Sequence, residues 1–169
     1  FIDSIISQYN KQYLDGLLNY NRVLVQRNSL LKHFSKERKF DKTGLEVYDE
    51  QLAHYGIAIY EERKRFLVDF IELFQQHYNF ISGEKETISW EYQSHLNEGD
   101  FISLLNDSID RDRAVQHTSV GIHKDDLLFK VSDFPVKKFA SQGQQKSYLV
   151  ALKLAQFEYI KEIKKVKPI

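Results

Sequence analysis

The stretch Leu45–Ile81, LEVYDEQLAHYGIAIYEERKRFLVDFIELFQQHYNFI, holds no proline and a single glycine, Gly56. Leu52, Ile59, Phe66, Phe70, Leu73 and Phe74 recur at the steps that stack side chains on one face of an α-helix. Glu61, Glu62, Arg63, Lys64 and Arg65 fall between them as a charged, solvated face. The spacing predicts one long helix over 45–81, with Gly83 just beyond it as a C-terminal stop.

Upstream, Ile2, Ile5, Ile6 and Tyr9, then Tyr13, Leu14, Leu17, Leu18, Leu24, Leu30 and Leu31, carry the same period from Ile2 to Phe34, with a break expected near Tyr9-Asn10. Gly16 is a weak point of up to about 1 kcal/mol, a place for close packing or a bend. Ser35 to Gly44 is a polar connector, so the two long helices form an antiparallel hairpin. The heptads leave open whether it is a bundle wall or a projecting coiled-coil arm.

Downstream the period changes. Thr87 to Tyr92 alternates like a strand, and Phe101, Leu104, Leu105 and Ile109 mark a short helix with Asn97 as N-cap and Asp110–Arg113 as a charged end. Leu127–Val131 and Val136–Phe139 are expected to pair as a β-hairpin about a turn at Ser132–Pro135. A last helix over 141–165 places Leu149, Leu152, Ala155, Ile160 and Ile163 on one side. The fold class is α+β and mainly helical: a long antiparallel helical hairpin, then strands, a β-hairpin and a final helix.

With 42% hydrophobic and 28% charged residues over 169 positions, the balance is that of a soluble globular chain. No apolar run approaches the roughly 20 residues that span a bilayer, so no membrane partner is expected, and no secretory signal opens the chain. Phe1 in place of Met points to a processed or excised chain. The absence of cysteine excludes disulfides, a thiol nucleophile and thiolate zinc sites, and it fits a cytosolic protein. Formal net charge is zero, so a nucleic-acid surface must come from local asymmetry. Lys137, Lys138 and Lys146, in a lysine-rich C-terminal third, are the candidates for phosphate-backbone contact; solubility alone explains them equally well. His123, Asp125 and Asp126 suit a turn or ion pair better than a metal, because adjacent carboxylates on a strand point to opposite faces. No catalytic constellation is visible.

The most informative segment is Phe139-Ala140-Ser141-Gln142-Gly143-Gln144-Gln145-Lys146. Ser141 followed three residues later by Gln144 is a capping box. The same geometry, free amides at a helix start with a glycine beside them, also suits a phosphate. Ser141-Gln142-Gly143-Gln144-Gln145 resembles the signature motif of ABC-type ATPases in its RecF variant. Gly121-Ile122-His123-Lys124-Asp125-Asp126-Leu127 resembles the RecF motif Gly-Pro-His-Arg-Asp-Asp-Leu, with Ile122 where that family has proline. Ala151–Ala155, Phe1-Ile2-Asp3 and Gln26–Lys32 are similar to RecF as well, so the likeness runs along the whole chain. Lys146 stands where arginine is common, keeping the charge and losing bidentate contact.

The resemblance implies residues 1–118 as a helical arm with a strand and short helix, and 119–169 as part of an ATPase head. It implies ATP with Mg2+ in the parent protein, sandwiched in a head-to-head homodimer. Ser141 and Gly143 would contact the nucleotide in trans, with Gln142 and Gln144 shaping the turn. It further implies a cytoplasmic protein acting on gapped DNA, with RecR and RecO as mediators, in RecA loading and the SOS response. No Gly-x-x-x-x-Gly-Lys-Ser/Thr loop and no strand ending in paired acids after the last helix is present, so these residues alone are not expected to hydrolyse ATP or bind it tightly. Two other classes stay open: a helical-hairpin interaction module in which Ser141 is only a cap, and an ATPase of the SMC type, whose arms are much longer.

Overall fold

The structure, a computed structural model, describes residues 1–83, 88–131, 134–136 and 140–164. Its helices are α1 (Ile2–Ile6), α2 (Lys11–Glu37), α3 (Lys42–Ser82), α4 (Phe101–Asp107), α5 (Ile109–Val115) and α6 (Gln142–Lys164). The strands β1 (Ile88–Gln93), β2 (Asp126–Val131) and β3 (Phe134–Pro135) form one sheet in that order. The chain makes two compact units that interleave along the sequence: Phe1–Asn10 with Arg63–Tyr92 and Leu127–Ile169, and Lys11–Glu62 with Gln93–Asp126. The mainly helical α+β class is as expected, with the long helices in place.

In the second unit, α2 and α3 run antiparallel. Arg27 meets Asp49 at 2.6 Å, and seven residues back in α2 Tyr20 lies against Gly56, seven residues on in α3. The face of α2 that is buried is Tyr13, Tyr20, Val23, Arg27 and Leu31, while Leu18 is 56% exposed. Among the described residues, Gly16 has no atom within 4 Å of where a Cβ would stand, so it is not a point of close packing between them. α3 begins earlier than the apolar pattern does, at Lys42, because the Asp41 carboxylate accepts from the Gly44 N–H at 3.1 Å and caps the helix.

Arg27 is fully buried. Its Nε donates to Asp49, and its Nη1 donates to Asp112 at 2.6 Å and to the Thr118 hydroxyl at 2.9 Å. Asp112 also accepts from the Ser119 N–H at 2.8 Å and the Ser119 hydroxyl at 2.6 Å. Asp112 is thus not part of a charged helix end, as its sequence context implied, but an interior anchor of α5. One guanidinium serves two carboxylates, and Asp49 keeps an unbonded buried Oδ2; burial therefore raises the Asp49 pKa above the ordinary carboxylate value despite the Arg27 contact.

The cap of α4 is Asp100, which accepts from the Ser103 N–H at 2.9 Å, and not Asn97. Asn97 ends a 3-10 turn and accepts from the Tyr60 hydroxyl at 2.7 Å.

In the first unit, Ile5, Ile6, Phe66, Leu67, Phe70, Phe74 and Tyr78 are buried; Phe66 and Phe70 meet Tyr159 of α6, whose buried side is Ala151, Ala155, Tyr159 and Ile160. Leu149 and Ile163, placed on the core side by the periodicity, are 57% and 41% exposed. Phe74 of α3, Phe129 of β2 and Tyr148 of α6 meet pairwise at 5.1 to 5.3 Å between ring centroids. Burial pushes the Tyr148 phenol well above its ordinary pKa. Arg63 departs from the solvated face expected for 61–65: it is buried and holds Asp3 of α1 through two bonds of 2.9 Å. α3 ends at Ser82, and Gly83 takes the left-handed φ of 69° that suits a residue just past a helix.

β2 pairs antiparallel with β3, Lys130 opposite Pro135 and Val131 opposite Phe134. The return strand is Phe134–Pro135, inside the stretch expected as the turn, and Val136, the expected start of that strand, is helical instead; Pro135 sits in an edge strand where its missing N–H costs little. Lys137, Lys138 and Phe139 lie outside the described residues.

Replacing Arg27 by Met leaves two buried carboxylates without their cation. Stability should fall by about 3–5 kcal/mol in urea denaturation, and adding Asp49→Leu and Asp112→Leu should recover much of that loss.

Candidate functional site at the start of α6

Ser141 is the N-cap of α6. Its hydroxyl accepts from the Gln144 N–H at 3.2 Å, and the Gln144 side-chain oxygen accepts from the Ser141 N–H at 2.7 Å. The capping box is thus formed in both directions. Gln145 adds a bond from its side-chain nitrogen to the Ala140 carbonyl at 3.0 Å. Of the amides at the helix start, those of Ser141 and Gln144 are used within the box. Those of Gln142 and Gly143 have no partner among the described residues, and the Ser141 hydroxyl hydrogen is free to donate.

Ser141, Gln142 and Gly143 are all exposed. Among the described residues, a Cβ at Gly143 would meet only the Ser141 hydroxyl, 3.9 Å away. Packing among the described residues does not call for glycine there; a group approaching from outside would. The first turn holds no acidic residue, and none occurs from Phe134 through Phe157. Helix starts ordinarily favour Asp and Glu, so their absence leaves the positive end of the dipole uncompensated. The arrangement fits a phosphate: two adjacent amides and one hydroxyl donor at a neutral, exposed helix start. Lys146 is exposed in the next turn and carries no ion pair among the described residues.

Of the second motif, Gly121–Asp126 belong to the unit of α2 and Leu127 to that of α6. Gly121 has φ 124°, and a Cβ there would stand 2.6 Å from the Tyr20 hydroxyl and 2.8 Å from Phe101. Both conformation and space demand glycine. His123 follows in a 3-10 turn. Its Nε2 lies 3.1 Å from the Thr118 carbonyl, which only accepts, so Nε2 carries the hydrogen and Nδ1 accepts from the Tyr20 hydroxyl at 3.0 Å. Burial lowers the His123 pKa and keeps the ring neutral. His123 is thus a packed part of its unit, bonded to α2, a role spacing alone did not disclose.

A long helical hairpin, a small sheet and a last helix opened by a capping box define the class of the fold, mainly helical α+β. The chain is 52% identical over all its 169 residues to the DNA replication and repair protein RecF of Flavobacterium johnsoniae, covering 47% of that relative. It is 44% identical over 162 residues, 96% of its length, to RecF of Phocaeicola vulgatus, covering 43% of it. A solved structure of the recombination mediator protein RecF-ATPrS in the RecFOR pathway matches with a TM-score of 0.91 at 30% identity, over 99% of this chain and 47% of that one. The RecF-ATP structure of the same pathway matches at 0.90 and 29%, over 99% and 47%. No family model matches. The chain belongs to the RecF family, and it spans about half the length of the curated relatives it matches.

Two outcomes test this description. Ser141→Ala should cost about 1 kcal/mol of stability, read by thermal denaturation. For His123 the folded pKa lies below the unfolded value, so its contribution is complete above the unfolded pKa and is lost as pH falls through that value toward the folded one. Wild type should therefore lose up to about 1.4 kcal/mol per pH unit more than His123→Gln over that window, read from urea midpoints.

Proposed function

We propose that this chain supplies the trans-acting nucleotide contact of a RecF-type DNA repair and recombination protein. In this reading the parent protein binds ATP with Mg2+, and the start of α6 closes over the terminal phosphate of a nucleotide held by a second copy. Ser141 donates through its hydroxyl, Gly143 and Gln142 through their amides, and Gln144 holds the turn in shape. The chain carries no phosphate-loop motif, so the nucleotide is held first by residues of the parent outside it. ATP thereby couples dimerisation to the grip on DNA, with RecR and RecO as mediators in loading RecA and supporting the SOS response in the cytoplasm. Lys146, with Lys137 and Lys138, contributes to the DNA contact through phosphates.

The observation that carries this reading is the pair of unspent amides at an exposed, acid-free helix start, with Gly143 open to approach. The solved relatives bound to ATP and ATPrS support it. In the competing interaction-module reading Ser141 is a cap and nothing more.

Sedimentation velocity of the full-length protein, with and without ATP and Mg2+, separates the two. Wild type should dimerise with nucleotide, and Ser141→Arg should stay monomeric while folding normally. Equal dimerisation by the variant reduces the motif to a helix cap.

A further inference from the structure

The connector between α2 and α3 is more than a link. Beside it lies a concave pocket of about 470 Å³ whose lining joins the apolar Leu31, Phe34 and Phe40 to three cations, Arg38, Lys39 and Arg113, and one acid, Asp110. Phe34 and Phe40 meet edge to face at 5.4 Å, and the Arg113 guanidinium lies 4.3 Å over the Phe40 ring. Arg113 also reaches Asp110 at 3.4 Å, across an exposed pair that is worth little.

Charge is concentrated here. Between Lys32 and Lys42 the cations are Lys32, Lys36, Arg38, Lys39 and Lys42, against Glu37 and Asp41, in a chain whose net charge is zero. Among the described residues Arg38 and Lys39 have no ion pair. Arg38 also has φ 52°, in the left-handed region, at the position just past α2. That position ordinarily takes glycine or asparagine. An arginine held there, at a cost of about 1 kcal/mol or more, is an outlier that points to use of its side chain.

We infer that this pocket docks an acidic segment of a partner protein, an apolar side chain of which packs against the joined rings of Phe34 and Phe40 while its carboxylates meet Arg38, Lys39 and Arg113. The apolar wall decides against a nucleic-acid backbone, which would need only the cations. Stacking of bases is disfavoured as well, because Arg113 already covers a face of Phe40. A concave site that joins an aromatic wall to three cations matches a single anchor residue flanked by acids.

The test uses the full-length protein and three fluorescent twelve-residue peptides: one rich in Asp and Glu with a central leucine, the same peptide with serine for leucine, and a lysine-rich peptide with the leucine. Anisotropy should show micromolar binding of the first alone. Serine for leucine should weaken it about tenfold or more. Arg38→Glu with Lys39→Glu should weaken it about tenfold or more, and should restore binding of the lysine-rich peptide. Ala114→Trp keeps every charge, fills the pocket and should also abolish binding. Circular dichroism checks that each variant folds. No binding below 1 mM, or equal binding of the leucine and serine peptides, would overturn the inference. So would displacement of the peptide by a short DNA duplex that the Arg38→Glu/Lys39→Glu variant no longer binds, which would make this surface a phosphate contact.

Discussion

A single buried guanidinium sets the terms for the unit built on the hairpin. Arg27 has no access to water, so the cost of its charge is met only when Asp49, Asp112 and Thr118 are all in place. Those partners lie on α3, on α5 and in the segment after α5. A hairpin slipped by one helical turn would bury Arg27 without Asp49. Register between α2 and α3 is therefore fixed by charge, a more discriminating signal than interchangeable leucines give. The Thr118 segment in turn leads to Gly121 and His123, which close against Tyr20 two turns back along α2.

The first unit is fixed by shape. Ala151 and Ala155 let α6 approach its neighbours closely, and the three rings Phe74, Phe129 and Tyr148 lock α3, β2 and α6 to one another. Tyr148 lies two turns after Ser141. A helix held that near its start presents its first turn at a defined place, so the signature residues can remain exposed and still be well positioned.

The hairpin, its antiparallel sense, the break before Lys11 and the capping box at Ser141 were legible in the sequence, because each rests on spacing within a few residues. What spacing could not reveal was the fate of charged residues. Arg27, Arg63 and Asp112 look like surface positions by hydropathy, yet each is buried because a partner distant in sequence meets it. The same applies to Asp100 and Asn97, two plausible caps of which one was needed by Tyr60. Leu149 and Ile163 matched the helical period of α6 and lie on its open side, since period alone does not tell which face small alanines will turn inward. Motif likeness singled out Ser141 to Gln144 as candidates, but the two amides left over once the box is closed follow only from the folded geometry.

The neutrality of Gln144 has a consequence for how this segment can vary. At that position in a capping box glutamate makes the same reciprocal bond, and beside the positive helix end it is the better choice for helix stability. A chain drifting under selection for stability alone would be drawn toward it. If the helix start receives a phosphate, that same carboxylate would sit beside the incoming charge and repel it. Glutamine is then the residue that satisfies both demands: it closes the cap as a dipole and leaves the local field open to an anion. Variation at this position therefore carries information about use, since the exchange most favourable to the helix is the one most adverse to a bound nucleotide.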